Sequence, residues 1–443
     1  MNQNEIKQRS KSKNSKVLLF GIPKLGTSIL MGMADFALLA LYTIGYQLSP
    51  FLAGVVLSIG KLTIAASQFF FGWISDAKYT RWGRRKPYLV TLSLFLAISF
   101  IFLLLPSLFI DINNVSSIFI WFLIWNIIFN VSYGVTTPYN SWMVEQFTFD
   151  ERPKVAQFQN LFGFIGTAIM SVFSMVVLTD FNIEIKANPD IIPPEFLFSV
   201  IIFAVVPLVL FNLVAILMPK EPHFKIDSNM IDNLKTILKN YNYLLVTVMQ
   251  GIASIAWIMI GSLILVYISK VLQFDSTSNL IASIIFLFGI LIFLVIWRKL
   301  IEKLGRKRSL LYIFLTAIIF LPFTLFGLLP MGSTFIFGII FILGLTGCMG
   351  GWFLFPSIMY ADIAEIDERA TGELKAGIYV GFPSIVLNLF QALGLLIMGM
   401  ILELPRWGTL TYSIGYVLWG PICSLILICA YFFARKFIKL DFD

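Results

Sequence analysis

The chain has 443 residues, 58% of them hydrophobic and only 13% charged, where a soluble domain carries roughly a quarter charged residues. That composition excludes a soluble globule. It also removes nucleic acid as the reason for a formal charge of +8, because the cations fall in short links between apolar runs. The three cysteines, Cys348, Cys423 and Cys429, lie inside apolar runs, which excludes a disulfide framework and a zinc site. The single histidine, His223, sits in a polar link and gives no basis for metal or acid–base chemistry. No cofactor or metal is expected.

A bilayer core of about 30 Å needs about 20 apolar residues per helix. On that ruler the chain predicts an all-α integral membrane protein with twelve spans, at 25–48, 51–75, 87–106, 117–142, 155–179, 195–218, 243–269, 277–297, 309–330, 334–361, 376–402 and 409–434. The expected layout is an N-terminal tail at 1–24, a six-helix bundle at 25–218, a link at 219–242, a second six-helix bundle at 243–434 and a tail at 435–443. The polar, basic Met1–Lys16 segment has no apolar core of its own, so the first span is expected to act as the insertion signal.

With both tails and the middle link placed inside, 28 of the 32 lysines and arginines fall on the cytoplasmic side. Lys186, Lys270 and Arg406 fall outside, and Lys61 lies within the second span. The expectation is a multi-pass protein of the cell membrane with both termini cytoplasmic, monomeric, with the lipid bilayer as its standing partner.

Between spans 2 and 3 runs GWISDAKYTRWGRRKPY, and between spans 8 and 9 a poorer copy, WRKLIEKLGRKRSLLY; their glycines, Gly83 and Gly305, stand 222 residues apart. Span 4 ends PYNSWMVEQFTFDER and span 10 ends PSIMYADIAEIDER, each with an acid near its inner end, Glu145 and Asp362. Matched inner loops at half-chain spacing point to two parallel repeats of six helices.

GWISDAKYTRWGRRKP, PYNSWMVEQFTFDER and ADIAEIDERATGELKAGIY together resemble the glycoside–pentoside–hexuronide:cation symporters, the melibiose-permease group of the major facilitator superfamily. The resemblance runs over nearly the whole chain. It implies the major facilitator fold and uptake of a sugar or glycoside by alternating access, driven by a cation. The family's first-span aspartate corresponds to Asp35 and a second-span arginine to Lys61. Two second-span cation-binding carboxylates correspond to Ile64 and Gln68, a sugar-binding aspartate to Thr136, a fifth-span arginine to Asn160 and an eleventh-span lysine to Asn388. Without those carboxylates, the expected coupling ion is H⁺ rather than Na⁺.

Charges inside a bilayer normally face a cavity or a partner. Asp35 and Lys61 each lie about 15 Å from a span end at 1.5 Å per residue, so antiparallel neighbours would bring them to one depth. They are expected either to form a neutralising ion pair or to bind the solute or coupled ion. Further binding candidates are Gln68, Asn126, Tyr133, Asn140, Asn160, Trp352 and Asn388, with Gln250 and Trp257 among the other polar and aromatic residues inside spans; amides and tryptophan rings suit a sugar's hydroxyls and CH face. The resemblance implies a cytoplasmic gate of ion pairs, with Asp76, Arg84, Arg85, Glu145 and Arg152 in the first half and Arg306, Asp362, Glu365 and Arg369 in the second. Alternatives are a transporter of the same build for a lysolipid or nucleoside, a polytopic enzyme using the cluster Asp362, Glu365, Asp367 and Glu368, and a non-transporting sensor.

Overall fold

The computed structural model describes residues 14–77, 79–148, 151–187, 192–220, 239–329, 334–371, 376–408 and 410–438. The side chains of Asp76, Asp362, Glu365 and Arg369 lie outside that description. Among the described residues twelve helices are long and apolar enough to cross a membrane: Asn14–Gly45, Pro50–Ser75, Lys86–Leu104, Val115–Met143, Lys154–Asn182, Pro194–Leu217, Tyr241–Leu272, Thr277–Leu304, Arg306–Leu328, Phe335–Phe355, Pro383–Leu402 and Gly415–Phe437. They are numbered here as spans 1 to 12. Large apolar side chains such as Phe198, Ile202, Ile216 and Leu425 are exposed on their outer faces, as lipid-facing positions require.

Span 1 is already helical at Asn14, the first described residue, eleven residues before its predicted start at 25. Its first turns bury Val17 and Phe20 fully, and Pro23 opens the helix Pro23–Gly32, where its fixed φ and missing N–H are tolerated. Lys24, assigned by sequence to the tail, therefore stands within the span.

Two compact units divide the chain. The first comprises Met1–Ala34, Thr63–Ser171 and Asn188–Asp227; the second comprises Asp35–Leu62, Val172–Ala187 and Ser228–Asp443. Spans 1, 2 and 5 are thus shared lengthwise. Widened π-helical turns occur near two of the dividing points, at Met33–Ala37 in span 1 and Ser174–Leu178 in span 5. Such turns loosen the regular hydrogen-bond ladder and are frequent at functional sites.

The first unit is centred on an aromatic cluster. Phe20 stacks on Tyr139 at 4.9 Å and meets Phe147 edge-on at 5.2 Å, and Tyr139 meets Phe211 at 5.5 Å. The buried Tyr139 hydroxyl donates to the Phe20 carbonyl, so its polar atom is satisfied. In the second unit Tyr267 packs on Phe341 and Trp419 and donates to the Thr324 carbonyl at 3.2 Å.

Small residues set the closest helix contacts. A methyl built on Gly54 in span 2 would lie 2.8 Å from the Leu395 carbonyl oxygen, and 2.9 Å from Cα of Gly399 in span 11. Phe51 N–H donates to Glu403 Oε1 at 3.3 Å beside that crossing. At Gly415 the added methyl would overlap the Ile401 carbonyl, which is backbone and cannot swing aside. Gly415→Ala should therefore cost about 1–3 kcal/mol, the usual penalty of overpacking. Gly347→Ala, which meets only the Phe293 ring at 3.4 Å, should leave the unfolding temperature in detergent nearly unchanged. Equal melting of the two variants would contradict this packing.

Candidate functional site

The hairpin between spans 2 and 3 is shaped by glycine. Gly83 adopts φ +106, a region an L side chain rarely enters. Thr80 and Gly83 exchange backbone hydrogen bonds of 3.1 and 3.0 Å. This turn sends Arg84 and Arg85 inward, where each is 3% exposed. Arg84 Nη2 donates to Glu145 Oε1 at 2.8 Å, Arg85 Nη2 to the same oxygen at 2.7 Å, and Arg85 Nη1 to Ser75 Oγ at 2.6 Å. The Glu145 carboxylate, just past the end of span 4, thus holds both arginines at the start of span 3, and Arg85 in turn reaches Ser75 at the end of span 2. Gly305 repeats the positive φ, at +81, in the second cluster. There the described ion pair is the exposed Arg298–Glu302 contact at 3.1 Å. Arg306 is exposed, and its expected acidic partners lie outside the described side chains. Arg152 donates through Nε to the Phe147 carbonyl at 3.4 Å, closing the start of span 5 onto the end of span 4.

In the second unit Lys61 Nζ meets Asp35 Oδ1 at 2.6 Å. The shared depth read from sequence is realised as an ion pair, with side-chain exposures of 9% for Lys61 and 27% for Asp35. Asp35 lies in the π turn Met33–Ala37, and its carbonyl accepts from Ser262 Oγ of span 7 at 2.9 Å. The widened turn is thereby tied to a neighbouring helix, which a membrane interior demands of any displaced carbonyl.

Further into that unit, Trp257 of span 7 and Trp352 stack at 5.4 Å with 16° between their planes, and Phe314 stands 5.8 Å from Trp352. Trp257 is near the middle of Tyr241–Leu272 and Trp352 near the middle of the helix Thr334–Thr371. Neither is placed as an interfacial anchor, which belongs at a span end. Trp257 Nε1 and both polar atoms of Gln250 are buried without a hydrogen-bond partner among the described residues. Gln250 lies seven residues from Trp257, on the same helical face. Asn388 is buried and donates to the Ser384 carbonyl at 2.7 Å.

In the first unit Asn126 and Asn130 are buried and bond to each other, Nδ2 of Asn130 reaching Asn126 Oδ1 at 2.9 Å. Gln68 Nε2 reaches Thr136 Oγ1 at 3.4 Å, and Tyr133 is half-buried. Asn140 and Asn160, expected inside their spans, are exposed on their helices. The sequence candidates therefore separate. Asp35, Lys61, Trp352 and Asn388 belong to the second unit; Gln68, Asn126, Tyr133, Asn140 and Asn160 belong to the first. The pairing of Trp257 with Trp352 was not legible in the sequence, since nothing there joins span 7 to span 10. Among the described residues no group of three or more metal-ligating side chains occurs.

Twelve helices long and apolar enough to cross a membrane describe a polytopic membrane protein, and comparison with known proteins gives its family. The family model described as MFS/sugar transport protein matches residues 19–412. The chain belongs to that family, within the major facilitator superfamily. It is similar to the D-xylose–proton symporter at 17% identity and TM-score 0.66, covering 96% of this chain and 97% of that one. The nucleoside transporter NupG is similar at 14% identity and TM-score 0.63, covering 97% and 100%. A bacterial homologue of the human lysosomal transporter Spinster is similar at 13% and 0.66, covering 98% and 99%. At such identities the likeness is one of fold. No curated protein matches the sequence at a significant level.

Proposed function

We propose that the protein is a secondary transporter of a sugar or glycoside, driven by H⁺ and working by alternating access in the cell membrane with both termini cytoplasmic. The observation that carries this reading is the stacked Trp257–Trp352 pair at mid-helix, with the partnerless amide of Gln250 on the same face of span 7. Aromatic faces take the apolar CH face of a sugar ring, and a buried amide left unpaired costs about 1–3 kcal/mol unless a ligand hydroxyl meets it. The family description and the melibiose-permease-like motifs support the same solute class.

In this reading Asp35 carries the coupling. Its carboxylate is the more open partner of the ion pair, and a proton bound there would release Lys61 from its counter-charge, coupling protonation to a change of state. Arg84, Arg85 and Glu145 brace the cytoplasmic end of the first half.

A nucleobase would also stack on paired tryptophans, so nucleosides are the control ligands. Ligand-induced thermal stabilisation should be measured for glycosides and nucleosides at two pH values, with and without Na⁺. At least one glycoside should raise the unfolding temperature, more at the lower pH and independently of Na⁺. Trp257→Ala or Trp352→Ala should weaken its binding roughly tenfold, at about 1.4 kcal/mol per decade. Stabilisation by nucleosides alone would overturn the sugar assignment.

A further inference from the structure

We propose that residues 35–45 of span 1 and Val172–Ala187 of span 5 form a flap that swings as one piece about two adjoining π turns, opening and closing the outer side of the second unit. The proposal rests on the alternating-access reading above, with both termini cytoplasmic, and goes beyond it: six helices moving as a rigid body need no bend inside a span.

The two hinges lie side by side. A methyl built on Gly32, just before the π turn Met33–Ala37, would stand 3.0 Å from Met170 Cβ. Met170 is four residues before the π turn Ser174–Leu178. Regular helix therefore gives way at one level in both spans. Such turns widen the hydrogen-bond ladder and are places where helices kink. Each of these turns offers a carbonyl to a side-chain hydroxyl. Ser262 Oγ donates to the Asp35 carbonyl at 2.9 Å, and Thr179 Oγ1 to the Ser174 carbonyl at 3.3 Å. Both are neutral bonds that water can replace as a helix bends. Span 2 crosses its own dividing point as regular helix, within Pro50–Ala77, and is not part of the flap.

Beyond the hinges the two segments are joined. A methyl on Gly45 would lie 3.0 Å from Asn182 Oδ1 and 3.1 Å from Ile185 Cγ2, and the turn Leu41–Gly45 packs along the helix Thr179–Ala187. Contact that close makes them move together. The joined piece leans on the second half of the chain, Leu38–Ala40 against span 7 and Ser174–Leu178 against span 8. A methyl on Gly261 of span 7 would meet the Phe36 ring at 3.3 Å.

The closed flap leaves polar atoms unpaired. Asn182 is 1% exposed, and neither its Nδ2 nor its Oδ1 has a hydrogen-bond partner among the described residues. Ser174 Oγ, in the turn that packs on span 8, is likewise buried without one. Buried polar groups are nearly always bonded in a settled structure. In the lifted flap water reaches all three atoms, so closure carries a penalty that opening relieves.

The test uses the full-length protein in proteoliposomes, spin-labelled at Glu184→Cys in the flap and Ser116→Cys at the start of span 4, with Cys429→Ala removing the exposed native thiol. Both label sites are exposed and both belong to the first six spans, so rigid rocking leaves their separation fixed. The flap predicts two resolved distances by pulsed electron spin resonance. Asn182→Leu puts an apolar group of similar size in place of the unpaired amide. It should enrich the closed population about fivefold or more and raise the unfolding temperature. Ser262→Ala frees the Asp35 carbonyl and should enrich the open one. A single distance in all three proteins overturns the flap, and glycoside uptake by the same proteoliposomes would leave the transport reading standing. Two distances whose ratio neither substitution shifts also overturn it, as does an Asn182→Leu protein that melts below the wild type. Two distances that shift as stated support the flap even where no glycoside is taken up, and then it is the sugar reading that falls.

Discussion

Glu145→Ala should destabilise the protein by about 3–5 kcal/mol, the cost of removing one partner from a buried ion pair. The carboxylate accepts from two guanidinium groups, each 3% exposed. Without it Arg84 and Arg85 are like charges side by side in a place water scarcely reaches. Ser75 Oγ offers Arg85 one neutral acceptor at 2.6 Å, which cannot replace a counter-charge. The contrast is Glu302→Ala. Its partner Arg298 is 77% exposed on the same helix, and such i,i+4 surface pairs contribute about 0.3–0.5 kcal/mol. Thermal unfolding of both variants in the same detergent should separate them widely. Comparable melting would mean that the hairpin is held by something other than Glu145. Replacing all three buried charges with apolar residues should recover much of the loss, because a well-packed apolar substitute for a buried ion cluster is often neutral or better.

Asp35→Asn should be the more damaging half of the second pair. Lys61 is 7% exposed and loses its counter-charge, whereas Lys61→Met leaves an aspartate whose side chain is 27% exposed and partly hydrated. The double variant Asp35→Asn with Lys61→Met should be more stable than the sum of the single losses implies, with an interaction energy of about 0.5–3 kcal/mol. Its transport should stay lost, because neutralising both groups restores packing and not proton binding. A double variant that transports like the wild type, with unchanged pH dependence, would show that the pair is structural alone.

Much of this architecture is legible in the chain. Twelve apolar runs survive as twelve spans because bilayer thickness fixes helix length and lipid leaves the backbone no alternative. The Asp35–Lys61 contact follows from counting residues between antiparallel neighbours, and the glycines of the two basic clusters are explained by their positive φ. What stayed hidden depends on which helices touch. A 3.6-residue period does not say that Trp257 faces Trp352. Asn126, a solute candidate in sequence, accepts from Asn130 Nδ2 at 2.9 Å, since residues four apart on a helix are neighbours. Lys24 was counted with the tail because charge ordinarily marks a span end. The signal that could have placed it is the apolar run from Val17 and the Pro23 helix start.

The central claim is that this chain moves a sugar or glycoside together with protons that run down their gradient. The most direct measurement is uptake of the best-binding radiolabelled glycoside into proteoliposomes, with and without an imposed pH gradient. The account predicts accumulation above equilibrium when the gradient is present, slowed in Trp257→Ala at low solute concentration and abolished in Asp35→Asn. Entry no faster than into protein-free vesicles, or equal entry with and without the gradient, would contradict it.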